Sequence, residues 1–255
     1  MRQSVIFRDL GQMDYKTAWD YQENLLQQNV KIKSAVRSRE FAVDEINGGR
    51  TSEAYSVHTL NSELTTQNYL LFVEHPPVFT LGKSGNINNV LLSEERLTER
   101  GIEFFRTNRG GDITFHGPHQ IVAYPILDLE KFDTDIGHYL RNLEETIILT
   151  LADYGIRAGR SKGETGVWID PEIKGRERKI CAIGVRCSRW ITMHGFAFNV
   201  NTDLRYFNHI IPCGIQNKQV TSLQKELGRE IDMQEAKKRV KQNFEKVFDV
   251  ELVSG

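Results

Sequence analysis

Short apolar runs, bounded by polar or glycine-rich stretches, recur along most of the chain and predict β-strands. They lie at residues 4–10, 69–73, 78–81, 102–106, 121–129, 166–169, 180–185 and 190–200. The last two runs are separated by only the polar stretch from Arg186 to Arg189. This short connection predicts an antiparallel hairpin.

Three longer segments show the three-to-four-residue apolar spacing of amphipathic helices. The first follows Asp14, a capping residue, and places Tyr15, Ala18, Trp19, Leu25 and Leu26 on one face. The clearest runs from Asp135 to Gly155, the last begins at Asp232, and Ser93 opens a short further helix. Strands outnumber helices, and both hairpins and helix-linked strands occur. The pattern predicts an α/β or α+β domain, with a mixed sheet and helices packed on it.

The periodicity fails between Lys31 and Gln67, a polar stretch that contains Gly48-Gly49. It is either a mobile loop, a lid or an insertion, and the pattern does not choose between them. We therefore predict one domain over residues 1–255, with an insertion or mobile loop at 31–67.

The last helix has an apolar and a basic side. Its predicted buried residues are Ala236, Val240, Phe244 and Val247, and its predicted water-exposed residues are Lys237, Lys238, Arg239 and Lys241. A basic helix face is most often simply solvated.

Composition narrows the class of protein. The 255 residues are 39% hydrophobic and 26% charged, which is typical of globular domains, and the net charge of -1 gives no indication of nucleic-acid binding. No apolar run is long enough for a transmembrane helix, and the first residues lack the apolar region of a signal peptide. The three cysteines form no CxxC pair, so we expect a cytoplasmic protein.

The cysteines differ in their surroundings. Cys181 lies in an apolar strand and is expected to be buried, whereas Cys187, in the predicted turn, is a weak thiolate candidate. Cys213 lies between Pro212 and Gly214, on a loop that can present a thiol. A nearby cation would lower the pKa of that thiol. Lys179 and His194 are both candidates for this role, and spacing does not decide between them.

A second polar motif runs from Arg109 to Gln120. The pair Gly110-Gly111 is either an ordinary turn or a place where backbone N–H groups converge on a ligand. Thr114 and His116 are on one face of an alternating strand, whereas the pair His116 and His119 lacks the helix and the cysteine or carboxylate partners of a zinc site. His194 is either a hydrogen-bonded core histidine or a site residue, and Gly195 beside it marks a bulge or close ligand contact.

Together these motifs resemble the octanoyltransferases of lipoate biosynthesis, within the biotin/lipoate protein ligase superfamily. The resemblance is carried by Glu74 to Gly82, Arg109 to Gln120, Gly166 to Trp168, Lys179 to Gly184, His194 to Asn201 and Ile211 to Ile215. Several linked motifs in the family's order are far more specific than any one of them.

The resemblance implies a biotin/lipoate protein ligase-like fold, with a largely antiparallel mixed sheet and a second small sheet. It also implies transfer of an octanoyl group from octanoyl-acyl carrier protein to a lysine of lipoyl domains, with no cofactor and no metal. The acceptors would be the lipoyl domains of 2-oxoacid dehydrogenase complexes and the glycine cleavage H protein. Because such carriers are commonly acidic, the basic face of the last helix gains a second interpretation as a docking surface.

The resemblance also implies roles for individual residues. Cys213 would carry the acyl thioester, and Lys179 would lower the thiol pKa and transfer protons. The implied substrate-binding residues are Arg109, Gly110, Gly111, Asp112, Ile113, Thr114, Phe115, His116, Ala182, Ile183, Gly184, His194, Gly195 and Phe196. The chain departs from the family in having His119 where glycine is usual, and in the length of the 31–67 stretch.

Two other interpretations remain open. An ATP-dependent lipoate or biotin ligase of the same fold makes an acyl-adenylate and needs no cysteine nucleophile. A non-catalytic acyl- or biotin-binding regulator is the other alternative, although no helix-turn-helix precedes the first strand. The Pro212-Cys213-Gly214 loop favours transfer.

Overall fold

The computed structural model describes residues 2–47, 65–211 and 219–255, with side chains up to Ser38 in the first helix. The strands are β1 (Gln3–Gln12), β2 (Tyr69–Glu74), β3 (Val78–Leu81), β4 (Glu103–Arg106), β5 (Ile113–His116), β6 (Gln120–Ile126), β7 (Ala158–Gly159), β8 (Val167–Ile169), β9 (Arg178–Ser188), β10 (Ile191–Asn199), β11 (Gln219–Val220) and β12 (Val250–Ser254). The α-helices are α1 (Tyr15–Asn47), α2 (Glu94–Glu99), α3 (Ile136–Ala152), α4 (Leu223–Leu227) and α5 (Met233–Phe248).

The large sheet has the strand order β12-β1-β2-β6-β10-β9-β8-β7, with β11 beside β9. Strand β1 is parallel to β12 and β2, and β11 is parallel to β9. All other neighbouring pairs are antiparallel. A small sheet, β4-β3-β5, lies apart from it. The predicted mixed, largely antiparallel sheet with a second small sheet is confirmed.

Helices cover both faces of the large sheet. On one face α3 and α5 enclose a core that includes Leu143, Ile147 and Phe244. On the other face α1 packs Ala18 and Leu26 on the central strands. The caps agree with the sequence, since Asp14, Ser93, Asp135 and Asp232 each accept a hydrogen bond from a backbone N–H of the following helix.

The predicted hairpin is formed by β9 and β10, and it is tighter than the sequence indicated. Ser188 pairs with Ile191, so the connection is only Arg189 and Trp190. Both have a positive φ, 51° and 65°, as a two-residue type I′ connection requires. The strands therefore stay in register from Cys181 to Phe198.

Helix α1 was expected to end before Lys31, and that expectation was wrong. The helix continues to Asn47 because polar tertiary contacts, which leave no apolar pattern, hold its second half. Lys33 Nζ lies 2.8 Å from Asp128 Oδ1 and 2.8 Å from Glu130 Oε2. Of the stretch predicted as a loop or insertion, residues 48–64 lie outside the described part of the chain.

The predicted exposure of Lys237 on the last helix was also wrong. Lys237 is 5% exposed, and its Nζ lies 3.1 Å from Asp9 Oδ2 and 3.3 Å from Glu74 Oε1. It lies at the border of the apolar stripe, where the final residues of β1 and β2 supply two carboxylates.

Two of the other three basic residues are also less exposed than predicted. Arg239 pairs with Glu235 at 2.6 Å, and Lys241 Nζ lies 3.9 Å from the ring centroid of Phe7. Only Lys238 of the four is exposed. The predicted basic surface is therefore largely used in packing. Among the described helices, none combines the length and apolar composition needed to cross a membrane.

Candidate active site

A cavity of about 530 Å³ lies between the α1 face of the large sheet and β5 of the small sheet. Its volume is in the range of sites for small organic ligands. Glu164, Thr165 and Lys179 line it where side chains are partly exposed. We call this region the open end.

The opposite region of the cavity, here called the inner end, is buried. Tyr15, Val122 and Tyr124 line it and are 1%, 1% and 3% exposed. A ligand would therefore reach these three side chains from the exposed part of the cavity, which includes Lys179 and also Ser84 and Gly111.

The floor of the cavity is made of small residues on β9 and β10. Ala182 lies opposite Ala197, and Gly184 lies opposite Gly195. Directly opposed residues of an antiparallel pair share a face of the sheet, and all four residues line the cavity. The small methyl groups of Ala182 and Ala197 leave space above them for an apolar ligand. At Gly184 and Gly195 neighbouring backbone takes the place of a side chain, since a Cβ would come within 2.7 Å of Gly110 O and 2.2 Å of Ala123 O.

The Arg109–Gly111 turn lies directly against β9. Gly110 N donates to Val185 O at 2.9 Å. A Cβ at Gly184 would come within 2.7 Å of Gly110 O, closer than real Cβ atoms approach. Glycine at position 184 is therefore required by the close contact between turn and strand.

A chain of buried hydrogen bonds runs from the turn into the large sheet. Arg109 Nη2 donates to Thr80 Oγ1 at 2.9 Å, and Thr80 Oγ1 lies 3.2 Å from His116 Nε2. His116 Nδ1 lies 3.0 Å from Gln120 Oε1, and Gln120 Nε2 donates to Asn199 Oδ1 at 2.8 Å. Because an amide oxygen only accepts, His116 carries its proton on Nδ1 and accepts from Thr80 at Nε2. Burial lowers the pKa of His116 well below its usual value, so the ring is neutral.

A second histidine is fixed behind the inner end. His75 Nδ1 donates to Met13 O at 2.8 Å, so its Nε2 accepts from the Tyr124 hydroxyl at 2.7 Å. Burial lowers the pKa of His75 to about 4, and the ring is neutral. Tyr15 stacks on His116, with centroids 5.9 Å apart and an interplanar angle of 9°. The inner end of the cavity is therefore closed by aromatic rings that hydrogen bonds and stacking hold in fixed positions.

His194 has an unusual backbone for a residue inside a strand. Its φ is +58°, and its N–H donates to Gln22 Oε1 at 3.0 Å. Its Nε2 lies 2.7 Å from Asn108 Oδ1, and its buried Nδ1 has no hydrogen-bond partner among the described residues. Burial, with Arg109 and Arg186 nearby, lowers its pKa to about 3. Such strained residues concentrate at functional sites.

Lys179 lies near the start of β9 and pairs with Val220 of β11, and both line the cavity. Its Nζ is 4.6 Å from the ring centroid of Trp168 on β8. A cation–π contact of this kind fixes the direction of the lysine side chain. The structure therefore places the Lys179 side chain at the open end.

The segment beside Lys179 is anchored by Glu144, a carboxylate on α3 that is 0% exposed. Glu144 accepts from Gly166 N at 3.0 Å and from Arg160 Nε at 2.9 Å, and Arg141 Nη1 lies 2.6 Å from it. A buried charge needs such compensation. These bonds fix the wall that contains Glu164 and Thr165.

Known proteins resemble this chain along most of its length. Residues 51–245 match the lipoyl protein ligase A/B catalytic domain. An octanoyltransferase from Flavobacterium johnsoniae is 52% identical over 254 residues, covering 99% of this chain and 100% of that protein. An octanoyltransferase from Cytophaga hutchinsonii is 46% identical over 249 residues, covering 98% and 94%. The chain belongs to the lipoyl protein ligase A/B catalytic domain family.

Solved structures agree on the fold of this family. The bipartite lipoate protein ligase from Thermoplasma acidophilum has a TM-score of 0.65 at 14% identity, over 99% of this chain and 87% of that one. A lipoate-protein ligase A bound with ATP has a TM-score of 0.64 at 12% identity, over 100% and 89%. Within the lipoyl protein ligase A/B family, its octanoyltransferase relatives make this chain an acyltransferase.

Most residues that the family resemblance implied for substrate binding do line the cavity: Arg109, Gly111, Asp112, Ile113, Thr114, His116, Ala182, Ile183, Gly184, His194, Gly195 and Phe196. Gly110 instead packs against β9. Phe115 lies in the core beneath the small sheet and stacks on Tyr206, with centroids 4.5 Å apart. The Asp112 carboxylate is engaged by Asn86 N and Asn89 Nδ2, so its role is to hold the adjoining loop.

The structure describes two of the three cysteines. Cys213 lies outside the described residues, within 212–218. Cys181 is fully buried, as predicted, and burial raises its pKa. Cys187 is not in a turn but within β9, opposite Thr192, and burial raises its pKa as well. The prediction of Cys187 as a thiolate candidate was therefore wrong.

His119 occupies a position whose backbone favours glycine. Its φ is +61°, in the left-handed region. The backbone there is held because His119 N donates to Glu74 Oε2 at 3.1 Å and Asn201 N donates to His119 O at 3.0 Å. The side chain is exposed, so it replaces the family's usual glycine outside the cavity wall.

Sequence reasoning missed several cavity residues, chiefly Tyr15, Gln120, Val122, Tyr124 and Asn199. Tyr15 was assigned to the apolar face of α1, and β6 was predicted only as part of the apolar run at residues 121–129. The alternation of Gln120, Val122 and Tyr124 places them on one face, but an apolar strand does not reveal which face meets a ligand.

Proposed function

We propose that this acyltransferase moves an octanoyl group from octanoyl-acyl carrier protein to a specific lysine of lipoyl domains, through a thioester on Cys213. The acceptors are the lipoyl domains of 2-oxoacid dehydrogenase complexes and the glycine cleavage H protein. The names of the octanoyltransferase relatives support the acyl group. The motif resemblance supports the donor, the acceptors and the thioester.

The observation that carries this proposal is the apolar floor formed by the opposed residues Ala182 and Ala197, with Lys179 at the open end of the cavity. The floor accommodates a linear alkyl chain, whose burial contributes about 0.8 kcal/mol for each methylene. The ammonium lies where the reacting carbonyl would be.

The described residues on either side of the Pro-Cys-Gly motif support the choice of Cys213. Ile211 N donates to Asn89 O at 2.8 Å, and Asn89 Nδ2 donates to Asp112, which lines the cavity. On the far side of the segment, Val220 also lines the cavity.

In the first half-reaction, the Cys213 thiolate attacks the carbonyl carbon of the donor thioester. A C–S bond to Cys213 forms, the C–S bond to the carrier breaks, and Lys179 gives a proton to the departing carrier thiolate. An ammonium close to Cys213 favours the thiolate that must attack. Because one thioester replaces another, this step needs no ATP.

In the second half-reaction, the neutral amine of the acceptor lysine attacks the Cys213 thioester. A C–N bond forms, the C–S bond breaks, and Cys213 leaves as a thiolate. Lys179, neutral after the first step, accepts the proton that the amine loses. The enzyme thus returns to its starting protonation state, and the amide product makes the step favourable.

Intact mass spectrometry tests the proposal. Without ATP, the full chain mixed with octanoyl-acyl carrier protein should gain one octanoyl group, and a lipoyl domain added next should remove it. Cys213→Ala should lose the gain, whereas Cys187→Ala should keep it. Octanoyl transfer by Cys213→Ala at the wild-type rate would overturn the thioester mechanism.

The same assay separates the alternatives. An ATP-dependent ligase would modify the lipoyl domain only with free octanoate and ATP. A binding protein would gain no covalent mass under either condition.

A further inference from the structure

One row of residues crosses four neighbouring strands on the cavity side of the large sheet. Ala182 lies opposite Ala197, Ala197 opposite Val122, and Val122 opposite Val73. The first three line the cavity, whereas Val73 is fully buried in the core on the α1 side. Along this row the floor ends at Val122, the first branched side chain.

Tyr124 reinforces this boundary. It lies two residues after Val122 and therefore on the same face of β6. Its hydroxyl is bonded to His75 Nε2 at 2.7 Å. The ring nitrogens of His116 nearby are bonded to Thr80 and Gln120. If a ligand carried a polar group at its far end, that group would lose its hydrogen bonds to water and gain none from these atoms. Binding of such a ligand would therefore be unfavourable.

We propose that Val122, backed by Tyr124, determines the length of the acyl chain, and that the site selects unbranched, methyl-terminated acyl groups. This inference rests on the proposed function and defines the substrate class of the same site. The Val122 isopropyl group stops the chain at β6. A longer chain must bend or leave methylenes in water, and both outcomes weaken binding.

Acyl-enzyme formation with a series of acyl carrier proteins tests this role. Hexanoyl, octanoyl, decanoyl and dodecanoyl donors are compared by intact mass for the full chain, Val122→Ala and Val122→Ile. Removing two methyl groups extends the floor, so the decanoyl-to-octanoyl ratio of kcat/KM should rise roughly tenfold, as expected for about two more buried methylenes. Val122→Ile should shift the preference the other way, towards hexanoyl.

Val73→Ala is the matched control. It removes the same groups from the adjacent position of the row, outside the cavity, so it loosens the core without changing the ratio. An unchanged ratio in both Val122 variants, or an equal rise in Val73→Ala, would overturn the inference while octanoyl transfer by the wild-type chain still stood. A wild-type chain that is never acylated would overturn the proposed function itself, and this inference with it.

Discussion

The ammonium of Lys179 lies over the indole ring of Trp168, with Nζ 4.6 Å from the ring centroid. Trp168 is buried in β8, the strand beside β9, so the ring holds the lysine side chain in one direction. A cation–π contact of this kind contributes about 0.5–2 kcal/mol. The indole thereby positions the cation at the open end of the cavity.

Replacing Trp168 by leucine should slow formation of the octanoyl-enzyme about fivefold at neutral pH, because the ammonium loses a contact of about 1 kcal/mol. The KM for the carrier should stay the same. Single-turnover mass spectrometry measures this step directly. Trp168→Phe keeps an aromatic face, so its rate of octanoyl-enzyme formation should lie between those of the wild type and Trp168→Leu. A wild-type rate in Trp168→Leu would show that the ring does not position the lysine.

Lys179 itself should separate the two half-reactions. Lys179→Arg keeps the charge but cannot give up its proton, so it should still form octanoyl-enzyme and pass the chain on slowly. Lys179→Ala should lose both steps. Single-turnover rates of acylation and of transfer to a lipoyl domain measure the two effects. If both variants acylate and transfer at near wild-type rates, Lys179 is not in the site and His194 becomes the candidate partner.

Gly184→Ala should damage the site sterically. Its Cβ would lie 2.7 Å from the Gly110 carbonyl oxygen, a backbone atom, so the Arg109 turn must move away from β9. We expect a loss of about 1–3 kcal/mol in the free energy of unfolding, and at least a tenfold fall in kcat/KM. Gly110→Ala meets nothing closer than 3.4 Å and should destabilise the fold much less in the same urea titration. Equal stability losses would argue against the steric account.

The neutral histidines should make stability depend on pH. The pKa of His75 falls to about 4 in the folded protein, against about 6.5 in the unfolded chain. Between these values the unfolded state binds the extra proton, so stability is lost as the pH falls from about 6.5 towards about 4. From pH 7 to pH 5 this one group should lower the free energy of unfolding by about 2 kcal/mol.

Urea unfolding of the wild type and His75→Gln at both pH values checks this linkage. The wild type should lose about 2 kcal/mol more than the variant, since carboxylate titration is common to both. An identical pH dependence in the two proteins would contradict it.

The local elements of the fold could be predicted from the sequence because they depend on short-range patterns. The hairpin of β9 and β10 and the helix after Asp135 each have a clear apolar period and a turn or cap residue. The second half of α1 could not be predicted, because Lys33 bonds to Asp128, a residue 95 positions away. The burial of Lys237 likewise depends on distant carboxylates.

The site was only partly predictable for the same reason. Residues within motifs, such as Arg109 and His194, could be recognised from local sequence. Val122 and Glu144 could not be recognised in this way. The position of Val122 depends on strand pairing, and the role of Glu144 depends on the packing of a helix against a loop. In a strand that is apolar throughout, only its pairing partners show which residue ends a cavity.

Asn29 and Gln67 are held together by two hydrogen bonds, of 2.7 and 2.9 Å, between the asparagine amide and the Gln67 backbone. The two ends of the stretch 30–66, whose first part is the segment of α1 held by Lys33, are therefore fixed to each other. A change in its length alters mainly the entropy of closing that loop, which grows only with the logarithm of the number of residues. We expect this stretch to be free to lengthen or shorten in evolution while the acyl-transfer machinery stays constant.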